Sequence, residues 1–176
     1  DAGLSAEGDL EEFWNILDER LELCHKSLLL RYEKLKNITS DVSPIHWQYG
    51  AIARFKEHDP SYPLLQDGYA TITLGYIGVY ECVMALIGKS HTTPEGEKLA
   101  LQLVQKLKDT TLEWKKQDGL GWALYGTPSE SLTDRFARLT RARWGEIKGI
   151  TDRNFLTNSY HVFVKEPIDA FDKLEF

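Results

Sequence analysis

The chain has 176 residues, with 21 basic and 27 acidic side chains and a formal charge of −6. Its 42% apolar and 27% charged content is that of a globular protein and excludes a disordered tail, a collagenous chain and a membrane bundle. Net acidity argues against a nucleic-acid-coating role. Two cysteines, Cys24 and Cys82, are too few for a disulfide scaffold and point to a reducing compartment. The expectation is a cytoplasmic protein without membrane or nucleic-acid partners. The length allows one ordinary domain, yet the chain starts at Asp1 without methionine and stops at Phe176 after an apolar-polar run. A piece of a larger protein is expected.

The first twelve residues carry Asp1, Glu7, Asp9, Glu11 and Glu12 and no basic residue, the opposite of a secretory leader. The longest apolar run, 82–87, is far short of the ~20 residues that cross a bilayer.

Residues 9–36 read as one long helix. Leu10, Trp14, Leu17, Leu21, Cys24 and Leu28 recur at spacings of three and four, an apolar stripe. Cys24 lies on it as a small buried hydrophobe, and His25 is expected to point elsewhere. Residues 37–68 are irregular, punctuated by Pro44, Pro60, Pro63 and Gly68, with an aromatic segment around Trp47 and a short helix reaching Ile52. Residues 70–74 alternate as a strand, and 79–87 form a helix stopped by Gly88. Thr93-Pro94 opens another helix, whose stripe is Ala100, Leu103 or Val104, Leu107, Thr111 and Trp114, with Gly119 as its end. A second strand covers 121–125. Thr127-Pro128-Ser129-Glu130 reads as a capping box, with a helix over 128–142. A third strand is expected at 160–165. Strands alternating with long helices give an α/β class, and three strands are few for so much helix.

No phosphate-loop, dinucleotide-binding, serine-elbow or zinc-type motif is present. His25, His46, His58, His91 and His161 show no metal-ligand spacing on one helix face, so no metal site is expected. The best local site is 127–131. There a strand leads into a helix whose first turn carries Thr127, Ser129 and Ser131, and free N–H groups at the positive dipole end suit an anion. The alternative is a well-capped helix with no ligand. Arg135, Arg138 and Arg141, spaced by three, read as a solvated or salt-bridged face rather than a nucleic-acid contact. Asn158, Ser159 and His161 are candidates for a pocket rim.

The stretches Ser43-Pro44-Ile45-His46-Trp47-Gln48-Tyr49-Gly50-Ala51, Thr71-Ile72-Thr73-Leu74-Gly75-Tyr76-Ile77-Gly78-Val79-Tyr80-Glu81 and Tyr125-Gly126-Thr127-Pro128-Ser129-Glu130-Ser131-Leu132 carry a family likeness. So do Arg135-Phe136-Ala137-Arg138, Gly149-Ile150-Thr151-Asp152-Arg153 and Thr157-Asn158-Ser159-Tyr160-His161-Val162. In this order they resemble the anaerobic (class III) ribonucleoside-triphosphate reductases, over most of residues 38–176. The first helix matches only in character.

The resemblance implies a glycyl radical enzyme that converts ribonucleoside triphosphates to deoxyribonucleoside triphosphates with formate as reductant. It implies nucleotide effectors, a radical S-adenosylmethionine activase as partner and a homodimeric parent. The fold implied is a partial α/β barrel, a segment of a ten-stranded glycyl-radical-type barrel with long helices. On this reading 1–176 is a single segment of the catalytic barrel, 9–36 its long helix and 70–165 its strand-helix units. The radical-glycine loop, the finger-loop cysteine and the nucleotide-sensing region have no counterpart in this sequence. No catalytic residue and no cofactor site are therefore expected in it, and the piece alone is expected to be inactive. By analogy with related reductases, Thr127, Ser129, Glu130 and Ser131 would hold the substrate triphosphate. The rival reading is a non-catalytic α/β module that binds an anionic ligand.

Overall fold

A computed structural model of the chain describes residues 1–50, 55–66, 69–126 and 128–175, with the backbone alone for Glu130 and Glu175. The described residues form a mixed structure of helices and one small two-stranded parallel sheet. The helices are α1 (Ala2–Ser5), α2 (Leu10–Leu35), α3 (Pro44–Gln48), α4 (Val79–Ile87), α5 (Pro94–Asp118), α6 (Glu130–Trp144) and α7 (Asp172–Glu175). The strands are β1 (Ile72–Tyr76) and β2 (Trp122–Gly126). Parallel pairing follows from the long α4–α5 connection between the strands, which returns the chain to the same end of the sheet. No helix among the described residues is long and apolar enough to cross a membrane.

Two compact units divide the chain. One comprises Asp1–Glu19, Gly75–Leu107 and Tyr125–Phe176, the other Arg20–Leu74 and Lys108–Leu124.

The core of the first unit is built on α4. Val79, Tyr80, Val83 and Leu86 are buried, as are Phe13, Leu99, Leu103, Leu107, Ala137, Ile150 and Leu156. The ends of α4 fall where the glycines predict: Gly78 and Gly88 both take left-handed backbone, at φ 82 and 66, conformations that cost other residues about 1 kcal/mol or more. α5 starts at Pro94, and the Thr93 hydroxyl accepts the Gly96 N–H at 3.2 Å. Gly3 of α1 packs against Cys82 of α4. Burial pushes the Cys82 thiol up to about 11, which leaves about 0.1% thiolate at pH 8. Alkylation of Cys82 by iodoacetamide at pH 8, followed by mass spectrometry, is expected to be far slower in the folded chain than in urea. Equal rates would contradict the packing.

In the second unit the buried face of α2 is not the one expected. Leu21, His25 and Tyr32 are buried, whereas Cys24 is only half-buried and Leu10, in the first unit, is exposed. Leu21, His25, Leu28 and Tyr32 share one face at spacings of four, three and four, so His25 belongs to the stripe rather than outside it. The reason is chemical. His25 Nε2 lies 2.7 Å from Asp118 Oδ2, and its ring stacks on Trp114 at 4.5 Å and 4°. Asp118 also accepts the Trp122 indole N–H at 2.9 Å. A histidine with its polar atom engaged packs as an aromatic.

The third strand expected at 160–165 does not form. A turn at 158–161, closed by the His161 N–H to the Asn158 carbonyl at 2.9 Å, breaks the extended run, and Ser159 adopts φ 40. The segment instead crosses the start of α4. Gly78 N–H donates to the Thr157 carbonyl at 2.8 Å and Val79 N–H to the Ser159 carbonyl at 3.1 Å, and Asn158 makes a single antiparallel bridge with Ile77. α3 falls in the aromatic segment, but residues 51–54, where its extension was expected, lie outside the described residues, as does Gly68.

Candidate functional site: the turn between β2 and α6

The site lies in the first unit, where β2 ends and α6 begins. α6 starts at Glu130, two residues later than the expected position, and Ser129 is its N-cap in extended backbone, φ −133 and ψ 94. The first intrahelical bond runs from the Thr133 N–H to the Ser129 carbonyl at 3.1 Å. The N–H groups of Glu130, Ser131 and Leu132 therefore have no acceptor within the helix. The Ser129 side chain makes no capping bond, and both side chains of the box expected of Thr127 and Glu130 lie outside the described residues. With the cap at Ser129, the third helical position is Leu132, whose side chain cannot reach back.

Thr127 lies outside the described residues, as does the Glu130 side chain. Ser129 is half-buried and Ser131 exposed in the first turn. Of the expected rim residues, Asn158 comes to the turn: its Oδ1 accepts the Ser129 N–H at 3.0 Å. Ser159 is buried and backs the other side. A Cβ at Gly126 would stand 3.3 Å from both Ser159 Cβ and a Tyr160 ring carbon, tighter than ordinary contact, so a larger residue there would require these side chains to shift by a few tenths of an ångström. His161 is exposed and sets its ring edge-on to Tyr160. Gly126 and Ser129 thus both lie against residues 158–160.

The arginines of α6 are dispersed rather than pooled. Arg138 pairs with Asp134 at 2.9 Å, Arg141 donates to the Thr151 carbonyl at 2.6 Å, and Arg135 is exposed. No group of three or more histidine, cysteine or acidic side chains is placed to hold a metal among the described residues.

Behind the turn lies a cluster that sequence reasoning missed. Glu81 is 5% exposed, and its Oε1 accepts from Arg153 Nη2 at 2.5 Å, the Thr157 N–H at 2.8 Å and the Thr157 hydroxyl at 2.8 Å. The Arg153 guanidinium lies 4.1 Å from the centre of the Phe163 ring and 5.4 Å from those of Tyr80 and Phe155. A signal was available. Glu81 is the sole charged residue in 68–88, and Arg153 the sole cation in 149–164.

The arrangement offers N–H groups without an intrahelical acceptor, a hydroxyl and a positive dipole end, the elements of an anion site. A model of the anaerobic ribonucleoside-triphosphate reductase family matches residues 1–176, and the chain belongs to that family. The anaerobic ribonucleoside-triphosphate reductases of Salmonella typhimurium and Escherichia coli are each 39% identical to it, over 98% of this chain and 25% of theirs. The protein of that name from Enterobacteria phage T4 is 31% identical, over 99% of this chain and 27% of its own. The chain thus spans about a quarter of the length of the curated relatives it matches.

Proposed function

We propose that the chain works as a segment of the catalytic barrel of an anaerobic ribonucleotide reductase and that its 127–131 turn holds the triphosphate of a ribonucleoside triphosphate. The observation that carries this reading is the start of α6, with its cap hydroxyl uncommitted and its N-terminal amides presented straight after β2. The Ser129 N–H is already taken by Asn158. Phosphate oxygens would therefore meet the amides of Ser131 and Leu132 and the hydroxyls of Thr127, Ser129 and Ser131. Glu130 would contribute its main-chain N–H rather than its carboxylate, since two negative groups repel.

The long helix over 9–36 and the strand-helix units over 70–165 would form part of a ten-stranded glycyl-radical-type barrel. The parent protein would act in the cytoplasm as a homodimer, with a glycyl radical installed by a radical S-adenosylmethionine activase, formate as reductant and nucleotide effectors. This chain's share is to bind and orient substrate, and the isolated chain is expected to show no reductase turnover.

Titration with inorganic tripolyphosphate and with a ribonucleoside triphosphate tests the reading. Replacing Ser129 and Ser131 together by alanine is expected to weaken both ligands about tenfold, the size of one or two lost hydrogen bonds to a charged group. Unchanged affinity would remove the turn from the substrate site, and turnover by the isolated chain would refute its role as a part.

A further inference from the structure

Glu81 does not touch the turn, yet the bonds leading from it end there. It sits in the first turn of α4, and all its bonded partners meet one oxygen, Oε1, which gathers Arg153 and both donors of Thr157. Thr157 is followed by Asn158, whose side chain holds the Ser129 N–H, and by Ser159, which fills the space beside Gly126. The backbone of the same three residues is tied to Ile77, Gly78 and Val79. One buried carboxylate therefore fixes the register of 157–159, and 157–159 lies against both Gly126 and Ser129.

We propose that Glu81 is a positioning residue for the N-cap of α6, acting through Thr157 to keep Asn158 on the Ser129 amide. Its meaning for substrate binding rests on the phosphate reading above; its geometry does not. Without the carboxylate, the Thr157 donors and Arg153 lose their common acceptor, and the 157–159 segment is free to open locally. The Ser129 N–H then loses its partner, and the first turn of α6 frays.

The test is amide hydrogen exchange by NMR on the full chain, with the buried Val83 amide as internal reference, alongside titration with inorganic tripolyphosphate. In Glu81→Gln, which keeps an acceptor oxygen but turns the charge-assisted bonds to Thr157 into weaker neutral ones, Ser129 exchange is expected to rise about tenfold relative to Val83. Asn158→Ala should raise it similarly, and the double variant should add nothing further, because both act on one link. Tripolyphosphate affinity should fall in parallel. Where Glu81→Gln does not fold, Thr157→Val removes a single donor to Oε1 and should move Ser129 exchange in the same direction by a smaller factor. An unchanged Ser129-to-Val83 ratio, or additive effects of the two substitutions, would overturn the proposal. A wild-type chain that ignores tripolyphosphate while Ser129 exchange still answers to Glu81 would support the positioning role and sink the phosphate reading instead.

Discussion

Replacing Arg153 by methionine is expected to destabilise the first unit by about 3–5 kcal/mol, the range for removing one partner of a buried ion pair. The side chains of Arg153 and Glu81 are 11% and 5% exposed, so this pair is not screened by solvent as surface pairs are, for which 0–1 kcal/mol is typical. Methionine keeps most of the aliphatic stem, so the loss isolates the guanidinium. Glu81 would retain the two Thr157 donors but no cation. The carbonyl of Gly149 would lose its bond to Nη1, now 3.0 Å, and the Phe163 face its cation. Adding Glu81→Gln to Arg153→Met should recover part of the loss, because an uncharged oxygen still accepts from Thr157 without a stranded charge. Urea unfolding of the two variants decides it. A cost below about 1 kcal/mol for Arg153→Met would mean that the pair is effectively solvated.

The second large effect is expected in the other unit. Asp118→Ala should cost about 2–4 kcal/mol, since each buried donor left without an acceptor costs about 1–3 kcal/mol and this carboxylate serves both His25 and Trp122. Asp118 ends α5, where the helix dipole disfavours a negative charge, so its place there depends on those two donors. Asp118→Asn keeps an acceptor oxygen and should cost about 1 kcal/mol. Thermal unfolding followed by indole fluorescence reads both variants, because Trp114 and Trp122 lie against the His25 ring, with centroids 4.5 and 5.2 Å away. Equal stability of Asp118→Ala and the parent chain would mean that stacking alone holds His25.

These two clusters also show what was legible in the sequence. α4 and α5 were readable from Gly78, Gly88, Thr93-Pro94 and Gly119, because glycine and proline act on the backbone locally and need no partner. β1 and β2 were readable to within two residues for a similar reason. The buried face of α2 was not, because periodicity counts apolar side chains and His25 is apolar only once Asp118, 93 positions away, takes its polar atom. Residues 160–165 have the composition of a strand, but a strand also needs an edge to pair with, and the turn at Asn158 diverts the chain to α4. At the site, Ser129 and Ser131 were legible as first-turn residues, whereas the engagement of the Ser129 amide depends on Asn158, 29 positions on. Glu81 was the plainest hint left unread: a lone charge in an apolar helix has a partner somewhere, though sequence alone does not say where.

The hold of residues 157–159 on Gly126 and Ser129 has a consequence for how the molecule is made. Its parts come from residues 81, 126, 129 and 157–159, so it closes a loop of more than seventy residues, and non-local closures of that kind form late in folding. β2 and α6 leave the ribosome before Asn158 and Ser159, and for that interval the N-cap of α6 lacks this hold. Order at the start of α6 would arrive as a late step of folding, with residues 157–159 acting as the latch for amides synthesised earlier.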